Sequence, residues 1–252
     1  MVVLFMGVTL IWSGCSPASC VPACAGANLA GADLRGTNLA GVDLSGANLA
    51  GANLSGPFQQ GVDLTGASLA GAHLQGANLA GANLSNVDLR GADLSQADLR
   101  RANLAGTQLD EQTHLDDKWR LVWQIVNVGA EGSELGGVDL SEANLWGGNL
   151  AGANLVGANL SRANLNQANL AKANLQQVRA SWVSLKGVNL YQANLNGASL
   201  RWADLSDSNL MEASLEDVDA RGVWLTGSVL DGVNIEQAQL TGAIMPDGTR
   251  RQ

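Results

Sequence analysis

The sequence predicts an all-β repeat fold, a solenoid of short extended segments joined by corners, and three observations lead to this prediction. Leu recurs every five residues from Leu29 to Leu54, from Leu64 to Leu109, and again through most of 135–245. The chain of 252 residues contains 31 Gly, a residue that favours tight corners. Hydrophobic residues make up 46% of the chain but aromatic residues only 4%, so small and medium side chains must fill the core.

A period of five fits neither a helix nor a plain strand. Five steps of an α-helix leave successive Leu side chains about 140° apart, so no apolar stripe forms. In a strand, alternate Leu side chains would point to opposite faces. In a unit such as Ala-Asn-Leu-Ala-Gly, Ala and Leu therefore share one face of a short extended piece, and Asn or Asp points outward. The last two residues then turn the chain, and we count 17 such units in 27–111 and 23 in 133–247.

This pattern, Ala-Asn/Asp-Leu-x-Gly, resembles the pentapeptide repeat family over about four-fifths of the chain. The resemblance implies a right-handed quadrilateral β-helix in which four repeats form one square coil and residues 20 apart stack. Stacked outward amides can form ladders. The expected outward pairs are Asn28/Asn48, Asn38/Asn78 and Asn154/Asn174.

The departures from the repeat divide the chain. We expect an apolar, signal-like segment with a Cys-containing linker at 1–26 and a first repeat block at 27–111. A helical insert at 112–132 precedes a second block at 133–247 and a tail at 248–252. Within the first block, residues 57–60 interrupt the repeat with Pro-Phe-Gln-Gln, which predicts a local kink or bulge.

The N-terminus resembles a bacterial lipoprotein signal, because an apolar stretch at 2–12 leads into Ser-Gly-Cys at 13–15. Cys15 is then the lipidation candidate, and Cys20 and Cys24 remain as a candidate disulfide pair. The resemblance predicts export and membrane attachment through the N-terminus. The stretch is too short for an ordinary transmembrane helix. The alternative is an apolar N-terminal cap on the first coil.

The insert changes period from five to that of a helix, with Leu115, Trp119, Trp123 and Val126 at helical spacing. Gly129 suits the end of such a helix. The end of a solenoid exposes backbone and apolar interior, so we expect Trp119 and Trp123 to help cap an open coil end. The alternative is a helix that binds a partner.

The formal charge of −9 and the sequence pI of about 4.5 argue against a general nucleic-acid binder, so we expect no direct nucleic-acid partner. The charge is unevenly distributed. Residues 143–203 contain five basic residues and no acid, whereas 204–247 contain nine acids and only Arg221. This basic belt and acidic end are either a solvated surface or opposed patches that recruit a charged partner or another copy.

Aromatic residues are rare enough to be informative. Because residues 20 apart are expected to stack, counting by twenties places Arg162, Trp182 and Trp202 in one outward corner column. Arg201 and Arg221 lie in the column beside it. These five residues are the candidate patch for a partner or ligand. The alternative is an aromatic ladder that only stabilises the fold.

The sequence offers little material for catalysis. His73 and His114 are the only histidines, and neither lies in a recognisable triad or metal motif, so we expect no enzyme activity, cofactor or metal site. The leading prediction is a non-enzymatic scaffold for an unknown protein partner, exported to the cell envelope and membrane-anchored, with an open coil end available for self-association.

Two alternative functions stay open. The resemblance to the gyrase-protecting branch of the family implies a cytoplasmic, acidic DNA mimic, although the basic belt breaks the acidic character. The tryptophan patch instead predicts a surface protein that binds glycans.

Overall fold

The computed structural model describes residues 24–35, 39, 42, 44, 47–50, 52–54 and 61–252. The chain folds as the predicted all-β, right-handed quadrilateral β-helix. Each side of a coil contributes one residue that bridges to the next coil, rather than a long strand. The described helices are α1, Asp117–Asn127, and one turn of 3-10 helix, Ile235–Gln237. The chain divides into two compact units, Met1–Asp116 (unit 1) and Asp117–Gln252 (unit 2).

Hydrogen bonds between coils follow the repeat. In unit 2, Asn154 forms parallel bridges with Glu134 and Asn174, which lie four repeats before and four repeats after it. The Leu135 amide donates to the Asn154 carbonyl at 2.7 Å, and the Ala153 amide donates to the Leu150 carbonyl across the corner at 3.1 Å. The Ala and Leu side chains face inward and are buried, whereas most of the intervening Asn and Asp side chains retain solvent exposure. This inward and outward division is the one that the pentapeptide pattern predicts.

One face of unit 2 carries an amide ladder. The side-chain amides of Asn169, Asn189 and Asn209 each donate to the side-chain oxygen of the Asn one coil earlier, at 3.2 Å in each case. Val229 follows in the same column and ends the ladder. Of the predicted pairs, Asn28/Asn48 and Asn154/Asn174 stack in successive coils, and the Asn48 side-chain amide donates to the Asn28 side-chain oxygen at 3.2 Å.

Unit 1 contains one longer coil. The bridges of Asn28 to Asn48 and of Asp63 to Asn83 each span four repeats, but Asn53 bridges Asn78, which is five repeats further along the chain. One pentapeptide is thus additional to the square coil in this stretch. The predicted bulge at 57–60 lies outside the described residues.

The longer coil overturns the predicted pairing of Asn38 with Asn78. Asn78 stacks between Asn53 and Asp98, and the Leu39 amide donates to the Asp63 carbonyl at 2.7 Å. The count by twenties fails here because it does not include the extra pentapeptide. Asn38 itself lies outside the described residues.

Helix α1 begins at Asp117, later than the start of the predicted insert at residue 112. Gly129, at φ 96°, follows its end and donates its amide to the Gln124 carbonyl at 2.9 Å. Trp119, Val122 and Ile125 form the buried side of the helix. Residues 112–116 instead complete unit 1, where His114 bridges Asp93.

The C-terminal tail folds back on the last coil of unit 2. Arg250 forms an antiparallel bridge with Ile244, and the Arg251 guanidinium lies 3.2 Å from the Glu236 carboxylate. The tail thus covers the edge of one side of the coil end that was predicted to be open. Self-association through this end stays a prediction.

Candidate functional site

The stacking of unit 2 forms the candidate site at one of its corners. Residues 159, 179, 199 and 219 stack on one face, and residues 164, 184, 204 and 224 stack on the next. The residues that turn the chain between these two faces therefore also stack from coil to coil. We call the column Arg162, Trp182, Trp202 and Gly222, together with Arg201 and Arg221, the tryptophan corner.

The two indole rings of the tryptophan corner stack against each other. The ring centroids of Trp182 and Trp202 are 5.6 Å apart, and the ring planes differ by 18°. The two residues remain 60% and 47% exposed, respectively. The register thus brings together the two tryptophans that counting by twenties placed in one column.

Trp202 also covers the next corner. A Cβ atom added to Gly222 would lie 2.8 Å from Cδ2 of the Trp202 ring and would also clash with its Cε3. One side of the Trp202 ring therefore faces Trp182 and another approaches the Gly222 backbone. Trp202 therefore has protein atoms close to both sides of its ring.

Two of the predicted arginines converge on one carboxylate. Arg221 donates through Nε and Nη2 to Asp219, with the Nη2–Oδ2 distance 2.7 Å, and Nε of Arg201 lies 3.9 Å from the same oxygen. The hydrogen bond from Arg221 outweighs burial and lowers the pKa of Asp219. Asp219 is therefore ionised at neutral pH, pairs directly with Arg221 and lies near Arg201.

Arg162 and Arg179 differ from that pair. Both are exposed, and in the part of the chain that the structure describes neither guanidinium forms a salt bridge. Arg162 occupies the corner one coil before Trp182. Arg179 lies on the adjoining face, between Asn159 and Ser199, both of which are uncharged.

Arg179 belongs to the basic belt of the sequence but not to the predicted patch, and Trp224 is in neither. Trp224 is 55% exposed and stacks between Asp204 and Ile244 on the other adjoining face. Both residues stand at the outward position where the repeat places Asn or Asp. Searching that position for departures, as well as the corners, would have identified them.

The structure also divides the basic belt by face. Arg162, Arg179 and Arg201 lie at or beside the tryptophan corner, whereas Lys172 and Lys186 turn the chain at other corners. The acidic end does not form one face, because its nine carboxylates are distributed over all sides of the last coils. In the fold, three arginines of the basic belt therefore lie on one side of unit 2, whereas the carboxylates of the acidic end are not gathered on any one side.

The predicted capping residues occupy different environments. Trp119 is 7% exposed, and Trp123 is partly buried. Ile125, on the same side of α1 as Trp119, lies so close to Gly148 that an added Cβ would be 3.0 Å from Cγ2 of Ile125. The helix therefore packs on the first coil of unit 2, an arrangement consistent with the predicted cap, and the capping role of the two tryptophans stays a prediction.

Within unit 2, an ion pair also joins α1 to the repeat coils. Lys118 Nζ lies 2.9 Å from the Asp139 carboxylate and 3.2 Å from the Ser141 hydroxyl. Burial acts to raise the pKa of Asp139, but hydrogen bonds from Lys118 and Ser141 outweigh it and lower the pKa to about 2.

The N-terminal predictions fall mostly outside the described residues. Cys15 and Cys20 are not described, so neither lipidation nor a Cys20–Cys24 disulfide is tested. Cys24 is partly buried. Among the helices of the described residues, none is long and apolar enough to cross a membrane.

The two histidines lie closer together than their positions in sequence suggested. His73 bridges Asp93, and Asp93 bridges His114, so one carboxylate stands between two exposed imidazoles on a face of unit 1. His114 contributes to the lowered pKa of Asp93, after the larger effect of hydrogen bonds from Ser95. Within the described part of the chain, no group of three or more His, Cys, Asp or Glu residues could hold a metal ion.

Comparison with known proteins identifies the repeat. A family model for pentapeptide repeats matches residues 24–56, 60–96, 77–111, 133–171, 173–210 and 208–245. No curated protein matched the chain significantly.

Several solved structures are similar. HetL, a pentapeptide repeat protein involved in heterocyst differentiation regulation in Nostoc sp. strain PCC 7120, is 30% identical, covering 89% of this chain and 91% of its own, with a TM-score of 0.28. A pentapeptide repeat protein of the Arabidopsis thaliana thylakoid lumen is 25% identical over 49% of this chain and 72% of its own, with a TM-score of 0.31. QnrB1, a plasmid-mediated fluoroquinolone resistance protein, is 17% identical over 84% and 81%, with a TM-score of 0.31. The family model covers most of the chain, so this chain belongs to the pentapeptide repeat family.

Proposed function

We propose that this chain is a non-enzymatic scaffold that binds a protein partner through the tryptophan corner. The observation that carries the proposal is the exposed, stacked pair Trp182 and Trp202. Tryptophan and arginine are enriched among the residues that dominate protein–protein binding energy. The corner presents both residue types on one side of a rigid coil stack.

The backbone conformation at Trp182 and Trp202 does not favour tryptophan over glycine. Trp182 and Trp202 adopt φ of 60° and 59°, a left-handed conformation that costs a residue with a side chain about 1–2 kcal/mol. The stacking of two rings returns about 0.5–1.5 kcal/mol beyond the area that it buries. Glycine fills the same position at Gly222 and at many other corners without that cost. Twelve other described non-glycine residues have a positive φ, and all twelve are polar or charged, so the two apolar rings are the exception and suggest a role outside the fold.

The arrangement of the rings favours a protein over a glycan. Sugars stack on open aromatic faces, and Trp202 uses its faces on Trp182 and the Gly222 backbone. The exposed ring edges and the flanking arginines suit side chains of a protein surface. Glycan binding stays an alternative prediction.

The DNA-mimic alternative gains no support from the described faces. A mimic needs continuous negative charge, but several outward Asp residues are paired with the Arg two positions later. The Arg Nη2 to Asp Oδ2 distances are 2.7 Å for Asp88–Arg90 and 2.6 Å for Asp98–Arg100. These pairs neutralise carboxylates where the mimic would need them, so the interaction with gyrase stays a prediction.

Export and anchoring complete the proposal and rest on the sequence at 1–15 alone. The scaffold would then present the tryptophan corner in the cell envelope, with Cys15 carrying the lipid. Fractionation with mass spectrometry of the N-terminus tests this part. An unmodified, full-length chain in the cytosol would overturn export without bearing on the binding surface.

The binding surface is tested by affinity capture with the full chain. The test variant is Trp182→Ser with Trp202→Ser, and the matched control is Trp146→Ser, because Trp146 is also 60% exposed but lies at a different corner. We expect the double variant to lose the captured partner and the control to retain it. Equal capture by both variants, with both folded by circular dichroism, would remove the tryptophan corner as the binding surface.

A further inference from the structure

Resting on the proposed function, we infer that the tryptophan corner binds an acidic segment of its partner, an extended peptide in which two carboxylates flank apolar side chains. The first reason is charge. The exposed Arg162 and Arg179 have no carboxylate partner among the described residues, and the neighbours that stack on Arg179 are neutral. Carboxylates nearby in the fold are Glu142, one coil before Arg162, Asp204, on the adjoining face, and Asp219, which pairs with Arg221.

The second reason is the use of donors by Arg221. A guanidinium carries five N–H donors, and Arg221 directs Nε and Nη2 to Asp219. Its remaining nitrogen, Nη1, makes no hydrogen bond to the described residues. Because Asp219 holds this side chain in place, a second carboxylate meets a guanidinium whose freedom is already reduced, and this lowers the entropic cost of binding.

The third reason is the order of groups along the corner. Arg162, Trp182, Trp202 and the Arg221–Gly222 turn follow at successive coils. Three steps of about 4.8 Å each separate the two ends, or roughly 14 Å. An extended chain rises about 3.3 Å per residue, so carboxylates about four residues apart reach both ends. Apolar side chains between them lie over the tryptophan edges.

The spacing thus specifies a ligand class. An acidic residue, two or three apolar residues and a second acidic residue match Arg162, the two rings and Arg221 in order. A membrane surface or duplex DNA also carries negative charge, but neither offers apolar side chains between two charges at this spacing. These polyanions are therefore the competing outcomes of the test.

The test uses fluorescence anisotropy with the full chain and a labelled peptide in which two Glu flank three Leu. A peptide with Lys for Glu and one with Gly for Leu are the peptide controls. The protein variant is Arg162→Glu with Arg179→Glu. Its matched control is Lys172→Glu with Lys186→Glu, which makes the same change in net charge within the basic belt but at other corners.

We expect the Glu peptide to bind the wild-type chain and the Lys peptide not to bind. The Arg variant should weaken binding by about tenfold or more, because it replaces attraction by repulsion, and the Lys control should change it by less than about twofold. No binding of the Glu peptide, equal loss in both charge variants, or equal binding of the Gly peptide overturns the inference. Binding of anionic vesicles or duplex DNA that depends on Arg162 and Arg179, without peptide binding, also overturns it.

The same variants separate this inference from the proposed function. If the captured partner is lost with the Trp182→Ser/Trp202→Ser variant but retained with Arg162→Glu/Arg179→Glu, the scaffold proposal stands and the acidic ligand is wrong. If the partner is retained with both variants, the binding surface itself is wrong.

Discussion

A single methyl group added at Gly222 tests the geometry of the tryptophan corner. The new Cβ would lie 2.6 Å from Cζ3 and 2.8 Å from Cδ2 of Trp202. Carbon atoms in contact prefer about 3.5–4.0 Å, so the exposed Trp202 ring must move away by roughly 1 Å or more. That movement separates it from Trp182, and we expect a loss of about 0.5–1.5 kcal/mol from the stack.

Gly222→Ala also carries a backbone cost, and a matched control isolates it. Gly222 has φ 70°, where Ala costs about 1–2 kcal/mol more than Gly. Gly157 has φ 67°, and an added Cβ there meets no atom within 4 Å. Gly157→Ala should therefore lose only the backbone contribution, about 1–2 kcal/mol. Gly222→Ala should lose about 1.5–3.5 kcal/mol, the sum of both effects.

The assay compares thermal unfolding of the two variants, with near-UV circular dichroism as a direct reading of the indole pair. One kcal/mol of lost stability lowers the melting temperature by about 2–4 °C for a protein of about 150–250 residues. The extra loss of about 0.5–1.5 kcal/mol in Gly222→Ala should therefore lower its melting temperature by about 1–6 °C relative to Gly157→Ala. Its near-UV signal should change, and that of Gly157→Ala should not. Equal melting temperatures with an unchanged near-UV spectrum would refute the stacked arrangement over Gly222.

Three further predictions concern the rest of unit 2. Trp119→Ala should destabilise the fold by about 3–5 kcal/mol, measured by urea unfolding, because this side chain is buried in α1. Val229→Asn should raise stability by about 0.5–1 kcal/mol in thermal unfolding, because a new amide can donate to the Asn209 side chain and extend the ladder. Asp139→Asn should be less stable than wild type at pH 7, because the Lys118 pair lowers the pKa of Asp139 to about 2 in the folded state against about 3.9 in the unfolded state. Urea unfolding should show this difference in stability disappearing as the pH falls from about 4 to 2.

Each of these predictions has a control within the chain. Trp146→Ala removes an exposed tryptophan and should change stability by less than about 0.5 kcal/mol, so an equal effect of Trp119→Ala would contradict its burial. Val229→Ala removes the apolar side chain without adding a donor, and a gain equal to that of Val229→Asn would contradict the ladder. A constant difference between wild type and Asp139→Asn from pH 7 to 2 would show that the ion pair does not form.

Much of the fold was predictable because the five-residue period of the repeat determines which side chains point inward and which residues stack. Leu at the third position and Ala two residues earlier are inward in both units, and the outward Asn residues stack as expected. Where a departure kept the register, as at Trp182 and Trp202, counting by twenties was enough to find the pair. The prediction for Asn38 failed, because it crossed a coil that contains five pentapeptides instead of four.

The histidine column illustrates the same limit. His73 lies four whole repeats before Asp93, but His114 lies one position beyond four repeats after it, so no count by fives connects the three. Only the stacking of 112–116 as part of unit 1 brings His114 beside Asp93. A change of register by a single position is invisible to a periodic count unless the path of the backbone is known.

The sequence by itself determined the repeat, the family, the inward and outward sides of each unit, and the column shared by Trp182 and Trp202. These follow from periodicity, because every coil repeats the same backbone path. Only the tertiary structure decided that Arg201 approaches Asp219 in the next coil and that Trp202 covers Gly222. Those contacts depend on the direction of side chains across coils, which the repeat does not fix, because long flexible side chains on the same column can turn toward either neighbour.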